Sequence, residues 1–177
     1  MTLASTLRLA AILAVFAILS AGCQPGLTDD GEIAELDEAF FRCRVQPILT
    51  KNCGTFVCHG SGQRFFTLFG RNRLRACERM DGCEEERNAV LTPEERQHNF
   101  TAALTMVNYE YPLQSLLLVK PLELSAGGSF HQGAHEPFDG GDVFADPDDR
   151  ELSVIREWIQ GATEDPSCEE PPGGGET

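Results

Sequence analysis

Positive charge is scarce in this sequence. Its 177 residues include 14 Lys and Arg against 28 Asp and Glu, a formal net charge of -14. A chain this acidic repels phosphate backbones, which excludes a nucleic-acid partner. Anionic lipid headgroups repel it too, so any membrane tie must be hydrophobic or covalent. Long hydrophobic runs are missing as well: residues 9–19 form an apolar run of eleven, short of the roughly 20 a membrane-spanning helix needs. There is no serine nucleophile elbow, no His-Glu-x-x-His and no phosphate loop, so no enzyme constellation stands out. No internal repeat is visible. What is present suffices for a core: hydrophobic residues make up 41% and aromatics 8%, which argues against wholesale disorder. The length suits one domain.

The N-terminus supplies the covalent tie. Arg8 precedes the apolar run, which has the length of a signal-peptide core. It ends in Ser20-Ala21-Gly22-Cys23, small residues before a cysteine, similar to a bacterial lipobox with Ser20 where Leu is usual. Cleavage would follow Gly22 and leave Cys23 lipidated. The alternative is an ordinary signal peptide with Cys23 as one more thiol. The expected organisation is a lipoprotein signal peptide over 1–22, a lipidated linker over 23–31, a folded domain over 32–162 and a polar Pro/Gly-rich tail over 163–177. Gln24, rather than Asp, after Cys23 points to the outer membrane of a Gram-negative cell envelope, with the domain facing the periplasm. Outside the cytoplasm thiols are oxidised or covalently used.

Apolar spacing at Ile33, Leu36, Phe40, Val45, Ile48 and Leu49 predicts a helix over 32–52, capped by Asp29 or Asp30 and kinked or split at Pro47. Residues 54–62 read as a loop, and Phe65, Phe66, Leu68 and Phe69 as an extended or 3-10 cluster. Thr92-Pro93-Glu94-Glu95 is a helix start, with a cap, a proline at the first position and acids in the first turn. That helix is expected to reach Val107. A short helix should follow over 112–119, then a long ordered loop over 124–147. Residues 148–160 form a helix with Leu152, Ile155 and Ile159 on one face, stopped by Gly161.

Six cysteines remain besides Cys23: Cys43, Cys53, Cys58, Cys77, Cys83 and Cys168. They allow about fifteen pairings if all are disulfides. One stretch, Cys53-Gly54-Thr55-Phe56-Val57-Cys58-His59-Gly60, has another reading. A Cys-His dipeptide with a second Cys upstream is the pattern for covalent haem c: two thiols add across the vinyl groups and the adjacent imidazole ligates the iron. The usual gap between the cysteines is two residues and here it is four, which a loop can absorb without moving Cys58-His59. The competing reading is a local Cys53–Cys58 disulfide beside a surface histidine.

Further pieces follow in order: Val45-Gln46-Pro47-Ile48-Leu49 before the motif, then Ser115-Leu116-Leu117-Leu118-Val119-Lys120-Pro121, Gly127-Gly128-Ser129-Phe130-His131, Gly140-Gly141 with Phe144, and Glu157-Trp158-Ile159-Gln160-Gly161-Ala162. Over residues 40–162 the chain resembles exported cytochrome c-like domains, common as lipoproteins in myxobacteria and related to planctomycete cytochrome domains. The resemblance implies an all-α, cytochrome c-like fold with long ordered loops. Its first and last helices pack together and one haem c lies between, bound by Cys53, Cys58 and His59. It also places a histidine in the Gly-rich loop, soon followed by Gly-Gly. His131 is therefore the favoured sixth iron ligand. His135, within the insertion before Gly140, is second, and Met106 is third, though it reads as core filler in mid-helix. Met80 lies in a charged stretch and His98 reads as a solvated surface residue. If the terminal helices pack, Cys43 can bridge to Cys168, and Cys77 with Cys83 can close a local loop. A zinc site at Cys77 and Cys83 is the rival there. Calcium bound by Asp139, Asp142, Asp146, Asp148 and Asp149 is weighed against a solvated acidic face. The expected function is a membrane-anchored electron carrier with an unidentified redox partner protein. The alternatives are a haem-free, disulfide-held lipoprotein binding module of the same fold, and a haem peroxidase.

Overall fold

The structure, a computed structural model, describes residues 35–79, 87–131 and 142–171. The leader, Cys23, the caps proposed at Asp29 and Asp30, Met80, Cys83, His135 and Asp139 all lie outside the described residues.

Helix α1 is built of three contiguous stretches, Glu38–Phe40, Phe41–Val45 and Gln46–Asn52. Its start differs from the predicted one. Residues 35–37 are not helical, and Asp37 is the N-cap, accepting from Phe40 N–H. An aspartate carboxylate there satisfies an otherwise orphaned amide, which ends the helix more firmly than the apolar pattern extends it. Leu36 is still buried ahead of the helix. The predicted kink at Pro47 is also absorbed. Pro47 lacks an N–H and its ring crowds the carbonyl one turn back. The turn before it widens to π pitch, with Gln46 N–H reaching Phe41 O, and the helix continues to Asn52. Phe40, Phe41, Val45, Ile48 and Leu49 bury the inner face.

Helix α2, Pro93–Leu104, carries the predicted start. Thr92 accepts from Glu95 N–H, and the Glu95 side chain accepts from Thr92 N–H, a reciprocal capping box. It ends at Leu104 rather than Val107. Its buried face consists of Glu95, Asn99 and Ala103. The helix expected over 112–119 is two pieces, a 3-10 turn Pro112–Gln114 and helix α3, Leu116–Val119, separated by buried Ser115. Helix α4, Arg150–Ile159, starts at the Asp149 cap, which accepts from Glu151 and Leu152 N–H. Leu152, Ile155, Trp158 and Ile159 are buried along it, and Gly161 follows with φ 92°.

The described residues contain no strand. An isolated parallel bridge joins Leu122 to Phe144. The molecule is all-α. Helix α4 packs on the π turn of α1 and on α3, and α2 packs on the same turn. Phe41, Phe100 and Trp158 form the joint, with ring centroids 5.1 to 6.2 Å apart. Aromatic pairs at such separations add to the area term. Trp158 Nε1–H donates to Asp37 O at 2.9 Å, so the last helix is bonded to the start of the first. The segment after α4 returns along α1: Cys168 is disulfide-bonded to Cys43, Arg42 donates to Pro166 O and Cys168 O, and Arg44 pairs with Glu164. Cys77 is also disulfide-bonded.

Candidate functional site

The motif begins where α1 ends. Cys53 and Gly54 N–H both donate to Leu49 O, which closes the helix. The next residues then fold on themselves. Cys58 and Gly60 N–H donate to Thr55 O, and His59 N–H donates to Cys53 O at 2.9 Å. That last bond ties the two ends of the four-residue gap together. The extra chain is pushed outward, leaving Phe56 79% and Val57 67% exposed. Closure needs glycine at 60, since a Cβ there would lie 2.1 Å from Gly54 O.

His59 is held on both its backbone and its ring. Leu68 N–H donates to His59 O at 2.8 Å, and the ring Nδ1 lies 2.8 Å from Phe66 O. A carbonyl only accepts, so Nδ1 carries the proton and Nε2 keeps its lone pair. Burial lowers the His59 pKa; the bond to Phe66 works against this, while the charges of His131 and Arg64 add to the lowering. The imidazole is thus kept neutral and ready to donate to a metal.

Both thiols of the motif are free, although Cys43, Cys77 and Cys168 are in disulfides. The local Cys53–Cys58 bridge weighed above is absent. Burial, then the neighbouring Cys58 and Glu151, push the Cys53 thiol up to about 12. It is a neutral group, not a thiolate nucleophile.

Cys53 and His59 open into a cleft of about 260 Å³, walled by Ile48, Leu49, Phe66, Leu117, Phe144 and Ile155. The second imidazole in it is His131, whose ring centroid lies 5.9 Å from that of His59 with planes 13° apart. The approach of the 128–131 segment depends on Gly128, where a Cβ would lie 1.8 Å from Leu122 O. Ser129 N–H then donates to Val119 O, and Lys120 Nζ donates to Phe130 O. Lys120 and Arg64 are the cations on the cleft wall.

Met106 lies beyond α2, in a turn closed by Met106 N–H to Ala103 O, and it too lines the cleft. It is not in mid-helix as expected from the sequence, although its partly buried side chain does pack against the core. His98 is not a solvated surface residue either: its Nε2 donates to Thr67 O at 3.1 Å and its ring sits 4.7 Å from that of Phe69. Two residues that matter to the site were not assigned to it from the sequence, Phe66 being read only as part of an apolar cluster. Phe66 matters through a backbone carbonyl, which no side-chain pattern reveals. Asn99 is a polar residue at 0% exposure that bonds the backbone of Phe69. Among the described residues no group of three or more His, Cys, Asp and Glu clusters as a metal site. Nor is any described helix long and apolar enough to cross a membrane.

Fold and site together define a small all-helical domain with an apolar cleft that gathers a free thiol and two imidazoles, with a second free thiol next to the first imidazole in sequence. No family model, curated protein or solved structure matches the chain.

Proposed function

We propose that the chain is a membrane-anchored c-type cytochrome that carries one covalent haem, passes single electrons to a redox partner protein and is not an enzyme. One observation carries this reading. An imidazole with its Nδ1 proton committed to a backbone carbonyl follows directly on a free thiol, and a second free thiol is bonded into the same turn. The donor set fits haem c: one thiol, an imidazole with Nε2 unprotonated and a second imidazole line an apolar space, and the second thiol, Cys58, adjoins His59 in the chain. Cys53 and Cys58 would be the attachment points, His59 the proximal iron ligand and His131 the sixth ligand, with His135 and Met106 as second and third choices.

Bound haem would supply one-electron iron chemistry. The chain's own residues do the rest. The apolar wall excludes water. Phe66 O fixes the His59 tautomer, and Lys120 holds the carbonyl next to His131. In this reading lipidated Cys23 anchors the protein in the outer membrane, facing the periplasm, and the sequence up to Cys23 is the lipoprotein leader that supports it.

The test is production with the haem c maturation machinery. The expected product is red and keeps its haem on a denaturing gel, while Cys58→Ala loses the covalent label. A colourless protein under conditions that load a control cytochrome would overturn the reading in favour of a haem-free lipoprotein binding module.

A further inference from the structure

His59 is held by a segment that another helix holds in turn. Residues 66–69 belong to no helix or sheet, so their backbone groups must find partners elsewhere. Phe66 O accepts the His59 Nδ1 proton, and Leu68 N–H donates to His59 O. Thr67 O accepts from His98. Phe69 is held on both sides by one carboxamide: its N–H donates to Asn99 Oδ1 at 2.8 Å, and Asn99 Nδ2 donates to its C=O at 2.9 Å. Asn99 also donates to Gln46 Oε1 at 3.4 Å, and Gln46 Nε2 donates to Glu170 at 2.6 Å. A fully buried amide is costly unless its groups are met. Here they are met by the backbone that carries the His59 support.

We propose that Asn99 is a positioning residue for His59. By gripping both backbone groups of Phe69 it sets the Phe66 carbonyl, and so keeps the imidazole in the Nδ1–H form with Nε2 unprotonated. The proposal deepens the haem reading, in which Nε2 is the donor to iron, and its test needs no haem. The ring nitrogens of the haem-free protein, labelled with 15N-histidine, are read by NMR at a pH where imidazole is neutral. Wild-type His59 should be almost wholly Nδ1–H. In Asn99→Ala the ratio of tautomers should move about five-fold toward Nε2–H, the effect of losing one ordinary hydrogen bond. Asn99→Asp keeps the acceptor for Phe69 N–H and removes the donor. It should shift the ratio less, and it is the variant to read if Asn99→Ala does not fold. Trp158→Phe, which loses the partly buried bond to Asp37 O at the start of α1, should lower stability and leave the ratio alone.

A folded Asn99 variant with the wild-type ratio overturns the proposal, as does an equal shift in Trp158→Phe. A wild-type protein that refuses haem yet shows the Asn99-dependent ratio removes the cytochrome reading and leaves this one standing.

Discussion

Replacing Glu95 by alanine should be among the most damaging single changes outside the cleft. Arg75 and Glu95 are each 1% exposed and paired bidentately, Nε to Oε1 at 2.9 Å and a terminal nitrogen to Oε2 at 2.8 Å. The carboxylate also accepts from Ala76 N–H at 2.8 Å and Thr92 N–H at 2.9 Å. The guanidinium turns its other protons to the carbonyls of Ala89 and Val90. Removing the anion leaves a buried cation without its partner, a loss of about 3–5 kcal/mol, and also removes the side-chain half of the α2 capping box, the bond from Thr92 N–H. Against a typical total of about 5–15 kcal/mol, that is a large share. Burial alone would push the Glu95 carboxyl up. The bonds from Arg75, Ala76 and Thr92, with the Arg75 charge, outweigh it and hold the carboxyl below its ordinary value of 4.5. A lowered folded pKa means stability that is present above the unfolded value and lost as pH falls through the folded one. Urea titrations of wild type, Glu95→Ala, Arg75→Met, Glu95→Gln and the Arg75→Met/Glu95→Gln double variant form the assay. The two single changes should couple by about 2 kcal/mol or more, and Glu95→Gln should flatten the stability profile below the ordinary carboxylate value. A Glu95→Ala cost under about 1 kcal/mol, the range of solvent-exposed pairs, would refute the reasoning.

Three further outcomes are expected. Cys43→Ser with Cys168→Ser opens a loop of 125 residues and should cost about 5 kcal/mol by the chain-entropy model, read as the shift in urea midpoint against oxidised wild type. The lowered His59 pKa predicts that the haem-free protein loses stability as pH falls from the ordinary imidazole value of 6.5 toward the folded value; His59→Gln should lose that slope, and an unchanged slope would contradict the burial argument. In haem-loaded protein His131→Ala should give a high-spin spectrum that responds to carbon monoxide while Met106→Ala leaves it unchanged, and the reverse result would move the sixth ligand to the turn after α2.

How much of the fold could be read from the sequence differs from helix to helix. Helix α4 was legible because its buried residues, Leu152, Ile155 and Ile159, are apolar at helical spacing. Helix α2 was legible only from its cap. Its buried face is Glu95, Asn99 and Ala103, and no hydrophobic stripe can announce a face made of a carboxylate and an amide. Glu95 reads locally as a first-turn acid suited to the helix dipole. Its partner Arg75 is twenty residues away, and nothing near either residue signals the pair. The start of α1 was misplaced for the opposite reason. Leu36 continues the apolar stripe and is buried, but periodicity reports burial rather than backbone conformation, and Asp37 caps the helix one residue later.

The two halves of the site differ in the same way. The groups that touch the Cys53–His59 turn directly lie between Leu49 and Phe69, within reach of local hydrogen bonds; only the grip of His98 and Asn99 on Thr67 and Phe69 comes from farther along the chain. Once the gap from Cys53 to Cys58 is seen as a closed turn, its unusual length changes only what is pushed into solvent. The thiols and His59 could therefore be singled out from sequence, although Phe66, acting through its carbonyl, could not. The second imidazole is set by contacts between residues 119–122 and 128–130 that follow no residue pattern: Gly128 passing against Leu122 O, Ser129 bonded to Val119 O, and Lys120 reaching Phe130 O. Spacing alone left His131, His135 and Met106 in competition. His131 and Met106 do reach the same cleft, which is why residue type could not separate them. What favours His131 is its ring, nearly parallel to that of His59, on a segment whose neighbouring carbonyl, Phe130 O, is bonded by Lys120.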